Sequence, residues 1–111
     1  MRGLWLGVLL LAGCYPPSGG GGGGGLQACP EVIQIQGFAY HPSQCFVARG
    51  ASVRFQNQDS VPHTATAENG SFNTGTLNPG QTSDPIALNQ LGTHPYFCTF
   101  HPGMRGSIEV R

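Results

Sequence analysis

Turn-forming pairs such as Arg49-Gly50 and Asn69-Gly70 recur from Leu26 onward and leave room only for short elements between them. Within these intervals, apolar and polar residues alternate in Ile33–Gln36 and in Val53–Gln56, as they do in half-buried strands. No segment after Leu26 has the spacing of an amphipathic helix. The pattern predicts an all-β fold, either an antiparallel sandwich or a barrel. The candidate strands are Ile33–Gln36, Cys45–Val47, Val53–Gln56, Thr64–Thr66, Pro85–Leu88, Tyr96–Cys98 and Ser107–Val110.

The first residues have the composition of an export signal. Arg2 supplies a positive start, Leu4–Leu11 is a mainly apolar run, and small residues precede Cys14. This order is typical of a secretory signal, and the run is too short to span a bilayer as a helix. A cysteine directly after Ala12-Gly13 resembles the bacterial lipobox. We therefore expect a lipoprotein signal peptide over residues 1–13 and a lipid anchor on Cys14, with an ordinary signal and an incidental cysteine as the alternative.

A glycine-rich segment separates this signal from the rest of the chain. Because no side chain in Gly19–Gly25 can pack, residues 14–28 are interpreted as the lipidated cysteine followed by a flexible linker. A random coil from Tyr15 to Ala28 has an r.m.s. span of roughly 20 Å. The sequence thus predicts a domain that stays near a membrane on a flexible tether.

Charge is sparse and balanced along the chain. There are 5 arginines, no lysine and 5 acidic residues. No basic stripe is present, which argues against nucleic-acid binding and against strong steering by a charged partner. The sequence contains no catalytic triad, phosphate-binding loop or carboxylate pair, so no catalytic residue is predicted and an enzyme is not expected.

The C-terminal part contains a group of metal-ligating residue types. Cys98, His101 and Met104 are separated by two residues each, and His63 lies upstream in a different interval between turns. Met104 is the only methionine besides the initiator. A thiolate, two imidazoles and one thioether are the ligand set of a blue-copper electron-transfer site. His94 has no place in this motif, and we expect it not to be a ligand.

These residues and the strands around them resemble the cupredoxins, the small blue-copper proteins. Gly37–Pro42 resembles the family's first hairpin, Gly50–Asp59 resembles the strand that leads to the first ligand, and Cys-x-x-His-x-x-Met is the shorter of the family's spacings. The resemblance implies a Greek-key β-sandwich of about seven to eight strands over residues 29–111. It also implies one type 1 copper per chain. The ligands that it implies are His63, Cys98, His101 and Met104.

The resemblance also implies how electrons leave the site. In the family, the histidine that corresponds to His101 presents one ring edge at the surface. The apolar rim formed by Phe100, Pro102 and Gly103 is then the docking patch for a transient redox protein partner. The alternative is that Phe100 simply belongs to the core. We expect the protein to be a monomer.

Residues beside the ligands are candidates for tuning the site. Thr64 is expected to hydrogen-bond across to the other ligand loop, and Asn57 and Asp59 are expected to order the loop that carries the first ligand histidine. The backbone N–H of Phe100 is a candidate donor to the Cys98 sulfur. Such donors stabilise the thiolate and adjust the reduction potential.

The remaining cysteines are expected to form a disulfide. With Cys14 assigned to the lipobox and Cys98 to the motif, Cys29 and Cys45 are left as a pair in an exported chain, where disulfides persist. A second metal site made of Cys29, His41 and Cys45 is the alternative. Three ligands without a short paired spacing are a weak pattern, and we expect His41 to be an exposed turn residue.

The sequence thus predicts a single-electron Cu(I)/Cu(II) carrier tethered to a membrane. A periplasmic copper chaperone or storage protein is the alternative, although such sites tend to be exposed or rich in methionine. Copper-dependent catalysis, which needs an open coordination position, is a third interpretation. We expect an exported protein that is lipid-anchored on the periplasmic or outer face of a bacterial membrane. Tyr15 weakly favours the outer membrane, because aspartate there would resemble an inner-membrane retention signal.

Overall fold

The computed structural model describes residues 25–111 of the chain. The predicted signal peptide over 1–13, Cys14 and the linker up to Gly24 lie outside the described residues. From Gly25 to Arg111 the chain forms nine β-strands and no helix, and thus has no helix there that crosses a membrane. The strands are β1 Gln27–Ala28, β2 Val32–Ile35, β3 Tyr40–His41, β4 Gln44–Val47, β5 Ala51–Asn57, β6 Thr66–Ala67, β7 Ile86–Leu88, β8 Gly92–Phe97 and β9 Arg105–Val110.

The strands form two mixed sheets. One sheet has the order β1-β4-β9-β8-β6 and the other has the order β3-β2-β5-β7. Strands β2 and β5 pair in parallel, as do β4 and β9, so the chain crosses between the sheets before it returns to a neighbouring strand. The predicted all-β sandwich is therefore confirmed, with nine strands within residues 25–111. The expectation of antiparallel pairing throughout is wrong, because β2 with β5 and β4 with β9 are parallel pairs.

Alternation along the strands fills the space between the sheets. In β5 the side chains of Val53, Phe55 and Asn57 are buried, while the residues between them are at least partly exposed. In β8 the buried side chains are His94 and Tyr96, and the same alternation brings Cys98 inward just beyond the strand. Aromatic rings pack edge to face at the centre of the core, and the ring centroids of Phe55 and Tyr96 are 5.3 Å apart. The period of two therefore places the cysteine at the inner edge of the sandwich.

One core contact requires a glycine. Gly106 of β9 lies opposite Tyr96 of β8, and a Cβ atom on it would be 2.5 Å from the Tyr96 ring. The Tyr96 hydroxyl is buried and has no hydrogen-bond partner within the described part of the chain. The ring thus packs closely on backbone while its polar atom stays unsatisfied.

Each predicted strand except Thr64–Thr66 overlaps a strand of the structure over most of its length. In place of the predicted strand Thr64–Thr66, the structure has β6 Thr66–Ala67, and Thr64 precedes this strand in the loop that carries His63. The two-residue strand β1 was not predicted, because two residues show no alternation. Strand β3 lies in Gly37–Pro42, the segment that resembles the family's first hairpin, and it pairs with β2. Gln27 and Ala28, placed in the linker by the sequence, pair in parallel with β4.

A disulfide joins Cys29 to Cys45, as the sequence predicted. The two Cα atoms are 4.8 Å apart, and the bridge ties the segment after β1 to β4. The alternative of a second metal site at these cysteines is therefore wrong, because both sulfurs are consumed. His41 is exposed, and one of its ring nitrogens contacts the carbonyl oxygen of Gln36 at 2.9 Å.

Candidate metal centre

Two loops at one end of the sandwich bring three ligating side chains together. His63 lies in the connection between β5 and β6, Cys98 directly follows β8, and His101 lies in the turn before β9. One ligating atom from each of the three lies within 4.8 Å of the others. His63 and Cys98 are fully buried, whereas His101 is half-buried. The arrangement is thus closed towards the core and open only on the side of His101.

The distances within this group fit a single metal ion. The Cys98 Sγ atom is 3.6 Å from Nδ1 of His63 and 3.8 Å from Nδ1 of His101. Metal–ligand bonds of about 2.0–2.3 Å, meeting at angles between tetrahedral and trigonal, separate two ligand atoms by about 3.5–3.8 Å. One soft thiolate and two imidazoles are donors that suit copper. The residues present therefore fit a copper ion.

The turn after Cys98 is closed by its own backbone. His101 N–H donates to the Cys98 carbonyl at 3.1 Å, and Met104 N–H donates to the His101 carbonyl at 2.9 Å. Cys98 N–H in turn donates to the Met104 carbonyl at 3.1 Å. The Met104 side chain is 6% exposed and belongs to the core. The two-residue spacings of the motif thus produce a compact loop in which all three residues have fixed places.

Asp59 determines which nitrogen of His63 faces the cysteine. Its Oδ2 atom lies 2.8 Å from Nε2 of His63. A carboxylate accepts hydrogen bonds, so Nε2 carries the proton and donates, which leaves the lone pair of Nδ1 free on the side of Cys98. Burial of the Asp59 carboxyl tends to raise its pKa, but hydrogen bonds from Phe38 N–H, Gly37 N–H and His63 outweigh it and hold the pKa below its usual range.

The donor to the cysteine sulfur is a backbone N–H from the other loop. Thr64 N–H donates to Cys98 Sγ at 3.4 Å, within a buried environment. The sequence predicted Phe100 N–H for this role, and that prediction is wrong, because Phe100 N–H makes no hydrogen bond to the sulfur in the described residues. Phe100 lies at the outer bend of the turn that His101 N–H closes, and its side chain is 50% exposed. The alternative that Phe100 belongs to the core is also wrong.

Side chains interlock the two ligand loops. The hydroxyl of Thr64 accepts a hydrogen bond from Thr99 N–H at 3.0 Å, so the predicted contact of Thr64 with the other ligand loop is present. Asn57 is fully buried and donates from Nδ2 to the carbonyls of Val61 and Leu77, at 2.8 Å each. Its Oδ1 accepts from Asp59 N–H at 2.9 Å. Asn57 thus orders the loop that carries His63, as predicted.

Phe38 is a residue of the site that the sequence analysis missed. Its ring lies almost perpendicular to both imidazoles, with centroids 5.2 Å from His63 and 4.9 Å from His101. Phe38 is 51% exposed, and with Phe100 it forms an apolar surface beside His101. The one signal in the sequence was Phe38 itself, directly after Gly37 in the segment that resembles the family's first hairpin, because a large apolar side chain is unusual in a turn.

His94 is buried away from the ligand group, as expected of a residue outside the motif. One ring nitrogen, Nδ1, lies 2.8 Å from the amide nitrogen of Asn69. The other, Nε2, lies 2.7 Å from the carbonyl oxygen of Gln90 and donates to it. A buried imidazole with a hydrogen-bond partner at each nitrogen stabilises the fold there.

Comparisons with known proteins agree with this geometry. The sequence profile of copper binding proteins of the plastocyanin/azurin family matches residues 27–111. Amicyanin of Paracoccus versutus is 28% identical over 83 residues. The match covers 71% of this chain, and the chain spans only 63% of the length of that relative.

Solved structures agree at the level of the backbone. A reduced variant of amicyanin superposes with a TM-score of 0.67 at 26% identity, over 72% of this chain and 80% of that one. A purple cupredoxin of Nitrosopumilus maritimus superposes with a TM-score of 0.66 at 28% identity, over 74% of this chain and 100% of that one. The chain therefore belongs to the plastocyanin/azurin family of copper-binding proteins, the cupredoxins.

Proposed function

We propose that the protein is a single-electron carrier in which His63, Cys98, His101 and Met104 bind one copper ion. The observation that carries this proposal is the pair of Nδ1 atoms at 3.6 and 3.8 Å from Cys98 Sγ, in a pocket that is closed towards the core. Bound copper supplies the Cu(I)/Cu(II) couple. The protein supplies a set of donors that the hydrogen bonds of the two ligand loops hold in place.

The rigidity of these donors supports electron transfer rather than metal delivery. Thr64 N–H and the Thr64 hydroxyl fasten the first ligand loop to Cys98 and Thr99, and three backbone hydrogen bonds close the second ligand loop. A site that is fixed in this way needs little rearrangement when it gains or loses an electron. A copper chaperone or store instead needs ligands that open to release the ion.

His101 is the proposed exit for the electron. It is the one half-buried member of the ligand group, and it lies beside the exposed rings of Phe38 and Phe100. An apolar rim suits a partner that docks briefly and without strong steering. We infer a transient redox protein as the partner and a monomeric carrier.

The lipid anchor on Cys14 belongs to the same proposal. A lipidated cysteine and the glycine-rich segment would keep the domain at the periplasmic or outer face of a bacterial membrane, with the outer membrane favoured by Tyr15. Export is compatible with the Cys29–Cys45 disulfide, which persists in oxidising compartments. Replacing Cys14 by Ser tests the anchor: the protein should then leave the detergent phase and be recovered in the aqueous phase. Equal partitioning of both proteins would contradict the anchor.

Voltammetry of the copper-loaded protein tests the carrier function. We expect one reversible one-electron couple and no binding of azide, because four donors fill the site. The variant His101→Gly, which removes the half-buried ligand, is the matched control and should bind azide. If the unaltered protein binds azide as readily as His101→Gly, the site is open and the carrier function is wrong. Loss of copper on each reduction would instead favour the chaperone or storage function.

A further inference from the structure

The tip of the first hairpin has an unusual backbone. Strands β2 and β3 pair through Ile35 and Tyr40, and Gln36 N–H donates to the Ala39 carbonyl at 3.0 Å. The two residues at the tip, Gly37 and Phe38, have φ angles of 65° and 60°. Positive φ at both central residues defines a type I′ turn, which Asn-Gly prefers and in which a bulky side chain is disfavoured. Phe38 is the only non-glycine residue with positive φ within residues 25–111.

One carboxylate from a separate loop holds this strained tip. Asp59 Oδ1 accepts from Gly37 N–H at 2.8 Å, and Oδ2 accepts from Phe38 N–H at 2.9 Å. The same Oδ2 atom accepts from His63 Nε2 at 2.8 Å. Asp59 N–H donates to Asn57 Oδ1, which holds the backbone of Asp59 in place and restricts where its carboxylate can lie. Its side chain is 12% exposed, which limits competition from water.

The position of the Phe38 ring follows from these bonds. With the tip tied to Asp59, the ring lies across both imidazoles at 5.2 and 4.9 Å, although its backbone conformation is unfavourable. A strained residue that persists beside a functional group indicates that the surrounding structure requires it there. Nothing else in the described residues bonds to the N–H groups of both tip residues.

We propose that Asp59 is the positioning residue that joins the first hairpin to the metal site, and that it both orients His63 and places Phe38 over the two imidazoles. This inference rests on the proposed function. The negative charge of Asp59 beside His63 makes the imidazole a stronger donor and favours the more highly charged Cu(II) state. Asp59 therefore lowers the reduction potential and shapes the apolar face through which the electron leaves.

The variant Asp59→Asn separates this role from general stability. An amide has an NH2 group in place of one carboxylate oxygen, so one of the two positions that accept from Gly37 N–H and Phe38 N–H becomes a donor, and the side chain carries no charge. Asp84→Asn is the matched control, because it removes the same charge from the chain at an exposed residue in the segment before β7. Asp59→Glu keeps the charge and serves as the conservative rescue.

Two measurements on the full chain test the proposal. In the copper-free protein, amide hydrogen exchange at Gly37 and Phe38 should become faster in Asp59→Asn and stay unchanged in Asp84→Asn. In the copper-loaded protein, the reduction potential should shift upward in Asp59→Asn, with Asp59→Glu closer to the parent and Asp84→Asn equal to it. The proposal is overturned if Asp59→Asn leaves both quantities at the values of Asp84→Asn, or if Asp59→Glu shifts the potential as far as Asp59→Asn.

The exchange measurement needs no copper, so it keeps this proposal distinct from the proposed function. If the parent protein gives no reversible copper couple, the carrier function fails. Faster exchange at Gly37 and Phe38 in Asp59→Asn would in that case still show that Asp59 holds the hairpin tip, and unchanged exchange would overturn that as well.

Discussion

The backbone N–H of Thr64 donates a 3.4 Å hydrogen bond to the sulfur of Cys98, although the two residues are 34 positions apart in the chain. The bond joins the loop of the first ligand histidine to the end of β8. The Thr64 hydroxyl also accepts a hydrogen bond from Thr99 N–H. Both the backbone and the side chain of Thr64 therefore link the two ligand loops. Copper-site geometry therefore depends on Thr64 as well as on the ligands.

Replacing Thr64 by Val should loosen this link. Valine has the same shape but no acceptor, so Thr99 N–H loses its partner at a cost of about 1–2 kcal/mol in the free energy of unfolding. We also expect weaker copper binding and a changed visible spectrum. Thr93→Val is the control, because Thr93 is exposed in β8 and its hydroxyl makes no hydrogen bond to a ligand loop within the described residues. Urea unfolding and copper titration of both variants check this, and identical behaviour of the two would contradict the role of Thr64.

Two tyrosines in the core should respond in opposite ways to the loss of their hydroxyl groups. The Tyr40 hydroxyl donates to the Thr64 carbonyl at 2.5 Å, so Tyr40→Phe should lower the free energy of unfolding by about 1–2 kcal/mol. The Tyr96 hydroxyl is buried without a partner, so Tyr96→Phe should leave the free energy unchanged or raise it. Urea unfolding measures both. A larger loss for Tyr96→Phe than for Tyr40→Phe would refute the assignment.

The same tyrosines predict how stability changes at high pH. Burial raises the pKa of Tyr40 well above its usual range, with a further contribution from Cys98, and burial alone raises the pKa of Tyr96. The folded state therefore keeps protons that the unfolded state loses above about pH 10, so stability is complete below that pH and falls above it. The slope contributed is about 1.4 kcal/mol per pH unit for each tyrosine.

Urea unfolding between about pH 9 and pH 11 checks this slope. The decline should be shallower in Tyr40→Phe, which has one such group fewer. In a Tyr15→Phe background, which leaves only Tyr40 and Tyr96, tyrosinate absorbance should appear together with loss of the folded circular dichroism signal. Ionisation of either tyrosine in the folded protein near its ordinary pKa would be the contrary result.

The disulfide should contribute to stability mainly through the unfolded chain. Cys29 and Cys45 are separated by 16 positions, and closing a loop of this length is worth about 3 kcal/mol. The double variant Cys29→Ala, Cys45→Ala should lose about that amount in thermal or urea unfolding. The parent under reducing conditions is the control and should lose a similar amount. If neither loses stability, the bridge does not stabilise the domain.

The sequence predicted best those features that follow from the alternation of apolar residues, from the spacing of ligating residues and from the number of cysteines. Alternation in β2 and β5 predicted both strands, and the spacing of Cys98, His101 and Met104 predicted one loop, because a turn of that length has few conformations. The pairing of Cys29 with Cys45 followed from the number of cysteines. These features depend on residues that are close in the chain or on simple counts.

Contacts that depend on how loops fold back were not predictable. Phe38 reaches both imidazoles only because Asp59 holds a type I′ turn that Phe disfavours. The donor to the Cys98 sulfur is Thr64 N–H rather than Phe100 N–H. Because almost every residue type has a backbone N–H, the sequence does not indicate which one bonds to the sulfur. Such details are set by tertiary packing, which overrides local preference at functional sites.

The visible and EPR spectra of the full chain after addition of one equivalent of Cu(II) test the central claim most directly. We predict an intense thiolate-to-copper absorption band and a narrow copper hyperfine splitting, because Cys98 Sγ and the two Nδ1 atoms are placed to bind one ion together. Both features should disappear in Cys98→Ser. A pale protein with an ordinary tetragonal copper signal, unchanged in Cys98→Ser, would contradict the account.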